Sequence, residues 1–137
     1  ITCMPYEDPF SDCHVVVDCL LPSGKRIMLD PSWRLYLKDA AGEYVSLEHF
    51  RELLLSGEPF FANADASYNG GDFDLEFYRN YMTKNAIRFS RGTVYKDGLD
   101  DYAARAVVLV PADYPVKNFE YLARKEFVFD DRAFWRM

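Results

Sequence analysis

The sequence predicts an α+β fold, a mostly antiparallel sheet with two helices. Three observations predict it. Short apolar, β-branched runs alternate with Pro/Gly/Asp turn chemistry, as in hairpins. Two other segments carry apolar residues at helical spacing, the first of them behind a capping residue. Half of the 137 residues are hydrophobic and 17% aromatic, which is enough to fill the core of one domain or of part of one.

The elements follow in order. Residues 1–4 (ITCM) form a short strand ended by Pro5, and residues 5–12 form a loop with two prolines. Residues 13–21 (CHVVVDCLL) are a breaker-free strand. Pro22-Ser23-Gly24 turns the chain, and residues 25–30 (KRIMLD) return as the second arm of a hairpin. Arg34–Leu37 and Glu43–Val45 form a short extended pair around Asp39-Ala40-Ala41-Gly42. Ser46 caps a helix running through Ser56 to a Gly57 stop, with Leu47, Phe50, Leu53 and Leu54 on one stripe. Residues 58–72 form a long loop. A second helix spans about Asp74 to Asn85, with Leu75, Tyr78, Tyr81 and Met82 as its apolar face. Strands follow near Ile87–Tyr95, Ala104–Val110 and Glu126–Phe129.

Composition excludes several classes. A net charge of −6 with scattered basic residues argues against nucleic acid or an anionic membrane surface as the partner. No apolar run approaches the ~20 residues of a membrane-spanning helix. Two histidines with no close-spaced pair, no Cys-x-x-Cys and no glycine-rich phosphate loop leave no expected metal or cofactor. Three cysteines cannot all pair within one chain, and buried free thiols are the expected state.

The chemistry concentrates in the hairpin. His14 starts one arm and Asp30 ends the other. A three-residue loop at Pro22-Ser23-Gly24 would pair Leu21 with Lys25 and Val16 with Asp30. His14 then lies one diagonal step from Asp30 on the same face, within roughly 5–8 Å before the side chains reach across. A four-residue loop would move the aspartate to the opposite face. On one face, Asp30 can fix the tautomer of His14 and favour its protonated form, while the other ring nitrogen serves a thiol or hydroxyl. Alternation sends Cys13 to the face away from the imidazole.

The run Cys13-His14-Val15-Val16-Val17-Asp18, turn, Ile27-Met28-Leu29-Asp30-Pro31-Ser32-Trp33 resembles the second half of bacterial transglutaminase-like domains, in the papain-like cysteine-enzyme superfamily. Residues 1–60 resemble its His/Asp portion and residues 61–137 its C-terminal extension. The resemblance implies His14 as catalytic base and Asp30 as its orienter, acting on peptide or amide bonds of a protein substrate. It also points to an extracytoplasmic bacterial protein. In that family the nucleophilic cysteine starts a helix upstream, and neither Cys3, Cys13 nor Cys19 matches it. The expectation is therefore a partial domain, inactive alone, completed by an N-terminal half or associated with a second copy through an exposed apolar face. The alternative is a non-catalytic binding or scaffolding module on the same fold.

Other constellations are weaker. Asp65-x-Ser67-x-Asn69-Gly70 with Glu76 imitates a calcium loop, but Asp72 stands where an apolar residue is required. His49 reads as a surface helix residue. The pairs Asp100-Asp101 and Asp130-Asp131 read as solvated turns. Phe127, Phe129, Phe134 and Trp135 read as core packing.

Overall fold

The computed structural model describes residues 1–6, 12–92, 106–115 and 125–135. Nine strands and three helices lie among them. The strands are β1 (Thr2–Met4), β2 (His14–Val15), β3 (Val17–Leu20), β4 (Arg26–Asp30), β5 (Leu35–Asp39), β6 (Phe60–Ala62), β7 (Arg88–Arg91), β8 (Ala106–Leu109) and β9 (Lys125–Val128). The helices are α1 (Leu47–Ser56), α2 (Leu75–Asn85) and the short α3 (Asp131–Trp135). One sheet has the order β2-β1-β7-β8-β9 and the other β3-β4-β5-β6. Every pairing is antiparallel except β8 with β9. The class is α+β, as the sequence predicts.

Residues 13–21 differ from the single expected strand in one respect. The run is extended throughout but changes partner at Val16. Its first half pairs with β1, and its second half pairs with β4. Val16 exchanges two bonds with Ile1, its N–H to the Ile1 carbonyl at 3.0 Å and its carbonyl to the Ile1 amine at 2.8 Å. The hairpin therefore joins the two sheets. The expected turn is present: the Leu21 N–H bonds the Lys25 carbonyl at 2.8 Å and the Gly24 N–H the Leu21 carbonyl at 2.9 Å. Gly24 has φ +83°, a left-handed conformation open to glycine at little cost. The register runs Leu20 to Arg26 and Val17 to Leu29, the direction that the three-residue turn requires.

Both expected caps are observed. The Ser46 side chain accepts the His49 N–H, and Gly57 closes α1 at φ 74°. Asp74 accepts the N–H groups of Glu76 and Phe77 at the start of α2. The region 58–72 departs from the expected loop, because Phe60–Ala62 joins the sheet as β6 beside β5. The rest turns at Tyr68-Asn69-Gly70-Gly71, where Asn69 (φ 52°) and Gly70 (φ 81°) give the left-handed pair of a tight hairpin turn.

The main core lies between the sheets and the helices. Val16, Met28, Leu35, Leu37, Leu47, Phe50, Phe60, Tyr78, Met82, Phe89 and Phe134 are among its buried members. A smaller cluster of Met4, Val108 and Val110 lies apart from it. Val107 and Leu109 enter the first cluster and Val108 and Val110 the second, so the apolar run 106–110 is buried on both sides. Of the four C-terminal aromatics, Phe134 and Trp135 are buried, Phe127 is half-buried and Phe129 is exposed.

Candidate active site

The hairpin register brings the two predicted residues together. His14 and Asp30 are buried polar groups, and the His14 Nε2 is hydrogen-bonded to the Asp30 Oδ2. The sixteen-residue separation closes because both side chains are buried, His14 on β2 just before the run passes to β3 and Asp30 at the end of β4, the partner of β3. Exposure alternates along the strand: Cys13 and Val15 are exposed, while His14 and Val16 are buried.

The Asp30 carboxylate is oriented locally before His14 reaches it. Asp30 precedes a proline, which holds its backbone extended (φ −114°, ψ 95°) and out of the helical region. It caps the 3-10 turn Pro31–Trp33, and its Oδ1 accepts the Ser32 N–H at 3.1 Å. That leaves Oδ2 for the interior. There it meets His14 and a second donor, the Tyr78 hydroxyl at 2.9 Å. The carboxylate thus faces three donors with no exposed surface. Donors of this kind are what an ionised carboxylate needs out of water. An ionised Asp30 can only accept, so the proton of a neutral His14 sits on Nε2 and Nδ1 carries the lone pair.

Helix α2 closes the site from the other side. Tyr78 is fully buried against Trp33 (centroids 5.7 Å), Phe50 (6.1 Å) and Phe73 (5.7 Å). One turn on, Tyr81 packs edge-on against the His14 ring at 5.4 Å and 80°. The Tyr81 hydroxyl donates to Asp12, which also pairs with Lys84. Burial, with Asp12 next, pushes the Tyr81 phenol up to about 12. The Tyr78 phenol is also raised, by burial first and then by the Asp30 charge, so it remains a proton donor.

The thiols are placed as follows. Cys3 is the direct cross-strand partner of His14, a neighbour that no local sequence pattern encodes. It is fully buried, and burial pushes its thiol up to about 12, the reverse of what a nucleophile needs. Cys13 is exposed and alternates with buried His14, and Cys19 stands opposite Ile27 farther along the strand. None of the three presents a thiolate to the imidazole.

Tyr78 was legible only as part of an apolar helix face. Its phase showed that it points inward, but nothing in the sequence ties it to a residue 48 positions away.

Three of the remaining candidates have structural partners. Asp65 is held by Asn63 at 2.8 Å and by Arg34 at 3.4 Å. Asp130 accepts the Arg132 N–H at 2.9 Å, and Asp131 pairs with Arg51 at 2.6 Å. His49 is half-buried on α1. Asp100 and Asp101 lie outside the described residues. Among the described residues, no group of three His, Cys, Asp or Glu side chains is arranged to hold a metal ion. Nor is any helix long and apolar enough to cross a membrane.

In comparison with known proteins, no family model, no curated protein and no solved structure matches this chain.

Proposed function

We propose that this chain carries the base half of a thiol-dependent acyl-transfer or hydrolytic site acting on peptide or amide substrates. His14 is the general base and acid, and Asp30 orients it. The observation that supports this reading is the buried His14–Asp30 hydrogen bond, which leaves Nδ1 as the basic nitrogen. The Nδ1 atom takes the proton of a cysteine thiol, the thiolate attacks the amide carbonyl, and the same proton passes to the leaving amine. The cysteine comes from polypeptide outside residues 1–137, because Cys3, Cys13 and Cys19 are all unsuitable. The substrate and the final acceptor, water or an amine, are those of the assembled site.

The test uses the protein together with the polypeptide that precedes Ile1. A thiolate paired with an imidazolium reacts with iodoacetamide at about pH 6, where an ordinary thiol with pKa ~8.5 is more than 99% protonated. His14→Ala should slow that alkylation by on the order of a hundredfold, and Asp30→Asn by less. If no cysteine reacts in a His14-dependent way, the catalytic reading fails. The same network would then belong to a non-catalytic binding module, in which Asp30 pins α2 to the hairpin.

A further inference from the structure

Tyr78 donates to the same oxygen of Asp30 that His14 uses. An ion pair between a buried aspartate and a histidine does not by itself fix which way the imidazole points. The carboxylate must also be held. One oxygen of Asp30 is fixed by the Ser32 N–H two residues beyond the strand end. The other would be free to accept from water or to swing, were it not for a second donor. Tyr78 supplies that donor, and its own position is set by packing: the ring is enclosed by Trp33, Phe50 and Phe73. A phenol has one proton, and here it is directed at Oδ2. It therefore cannot also donate to the ring nitrogen. The two lone-pair directions of Oδ2 are filled by His14 and Tyr78, which leaves Nε2 as a donor and Nδ1 bare.

We infer that Tyr78 is a positioning residue for the His14 base, holding the Asp30 carboxylate through the oxygen that the two side chains share. This rests on the reading of His14 as a base. The same helix also touches the imidazole directly through the Tyr81 ring, so α2 constrains both members of the pair. The Tyr81 hydroxyl reaches Asp12 and not Asp30, which makes it the internal control.

The test is a spectroscopic one on protein labelled with 15N-histidine. Tyr78→Phe removes one oxygen and keeps the ring. A charge-assisted hydrogen bond is worth enough to change an opening equilibrium by on the order of tenfold. The expected result is that the Nε2 proton of His14 exchanges with solvent about tenfold faster in Tyr78→Phe and at an unchanged rate in Tyr81→Phe. With the upstream polypeptide present, thiol alkylation at about pH 6 should slow by a similar factor in Tyr78→Phe. A Tyr78→Phe protein that merely melts earlier, with the His14 proton exchanging as before, overturns the inference. Equal effects of both variants also overturn it. If Tyr78→Phe does not fold, the unmodified protein decides: the Tyr78 hydroxyl proton and the His14 Nε2 proton must show a mutual nuclear Overhauser effect, and its absence rejects the shared oxygen. Faster exchange in Tyr78→Phe without any His14-dependent thiol would uphold the positioning role while rejecting the catalytic reading.

Discussion

Two carboxylates on the hairpin, Asp18 and Asp30, look alike in the sequence and play different parts in the structure. Each lies on a strand, each has its side chain covered, and each ties the hairpin to a helix. Asp18, with a side chain 4% exposed, pairs with Arg26 at 2.7 Å and accepts the Leu47 N–H at the start of α1 at 3.4 Å. Asp30, with a side chain wholly buried, pairs with His14 and accepts from Tyr78 in the middle of α2. The difference lies in the partner. A guanidinium is charged at every accessible pH, so the Asp18 pair has one state and serves as a pin. An imidazole has a second ring nitrogen, so the Asp30 pair leaves Nδ1 clear of the carboxylate. Burial of the acid therefore does not separate the two pairs; the second nitrogen of the partner does.

The largest expected effect breaks the pair on the α2 side. Asp30→Ala leaves the Tyr78 hydroxyl, the His14 ring and the Ser32 N–H without their acceptor. Removing one partner from a buried pair costs about 3–5 kcal/mol, which denaturant melts will read directly. Asp18→Ala should cost less, about 1–3 kcal/mol, because the side chain of Arg26 is already 36% exposed and can turn to water. The reverse order of these two losses would break the comparison.

A pH experiment sharpens it. Cys3, the cross-strand neighbour of His14, has its thiol raised from 9.0 to about 12 by burial. The unfolded thiol ionises first, so between pH 9 and about 12 the unfolded state binds fewer protons than the folded one. Stability therefore falls as pH rises through this window. Tyr81, raised from 10.0 to about 12, adds to the loss above pH 10. Cys3→Ala should flatten the first part of the decline in melts taken across the alkaline range. An unchanged slope in that variant would mean that Cys3 is not buried beside the site.

Two smaller effects set the scale. Ser46→Ala removes the cap of α1 and should cost about 1 kcal/mol. The Lys25–Glu43 pair, with side chains 69% and 63% exposed, should contribute least of all, and salt should erase it. A Glu43→Gln loss as large as that of Asp18→Ala would show that burial does not separate these pairs.

The site was partly legible because its geometry is local. The turn at Pro22-Ser23-Gly24 sets the register, the register sets the face, and Asp30-Pro31-Ser32 orients the carboxylate. The caps at Ser46 and Asp74 follow from the same short-range rules. The remainder depends on partners far along the chain. Phe60–Ala62 becomes a strand only because Leu37–Asp39 is there to pair with it. The hairpin changes sheets at Val16 because Ile1 and β1 occupy one side and β4 the other. Cys3 and Tyr78 reach the site through pairing and packing that no local pattern encodes.

If Asp30 orients His14 as a base, the ring proton sits on Nε2 and Nδ1 is the basic nitrogen. The most direct measurement is the tautomer of neutral His14, read from two-bond 1H–15N correlations in the unmodified protein. The expected result is a protonated Nε2 and a bare Nδ1. A proton on Nδ1 would contradict it, because the basic nitrogen would then be the one buried against Asp30.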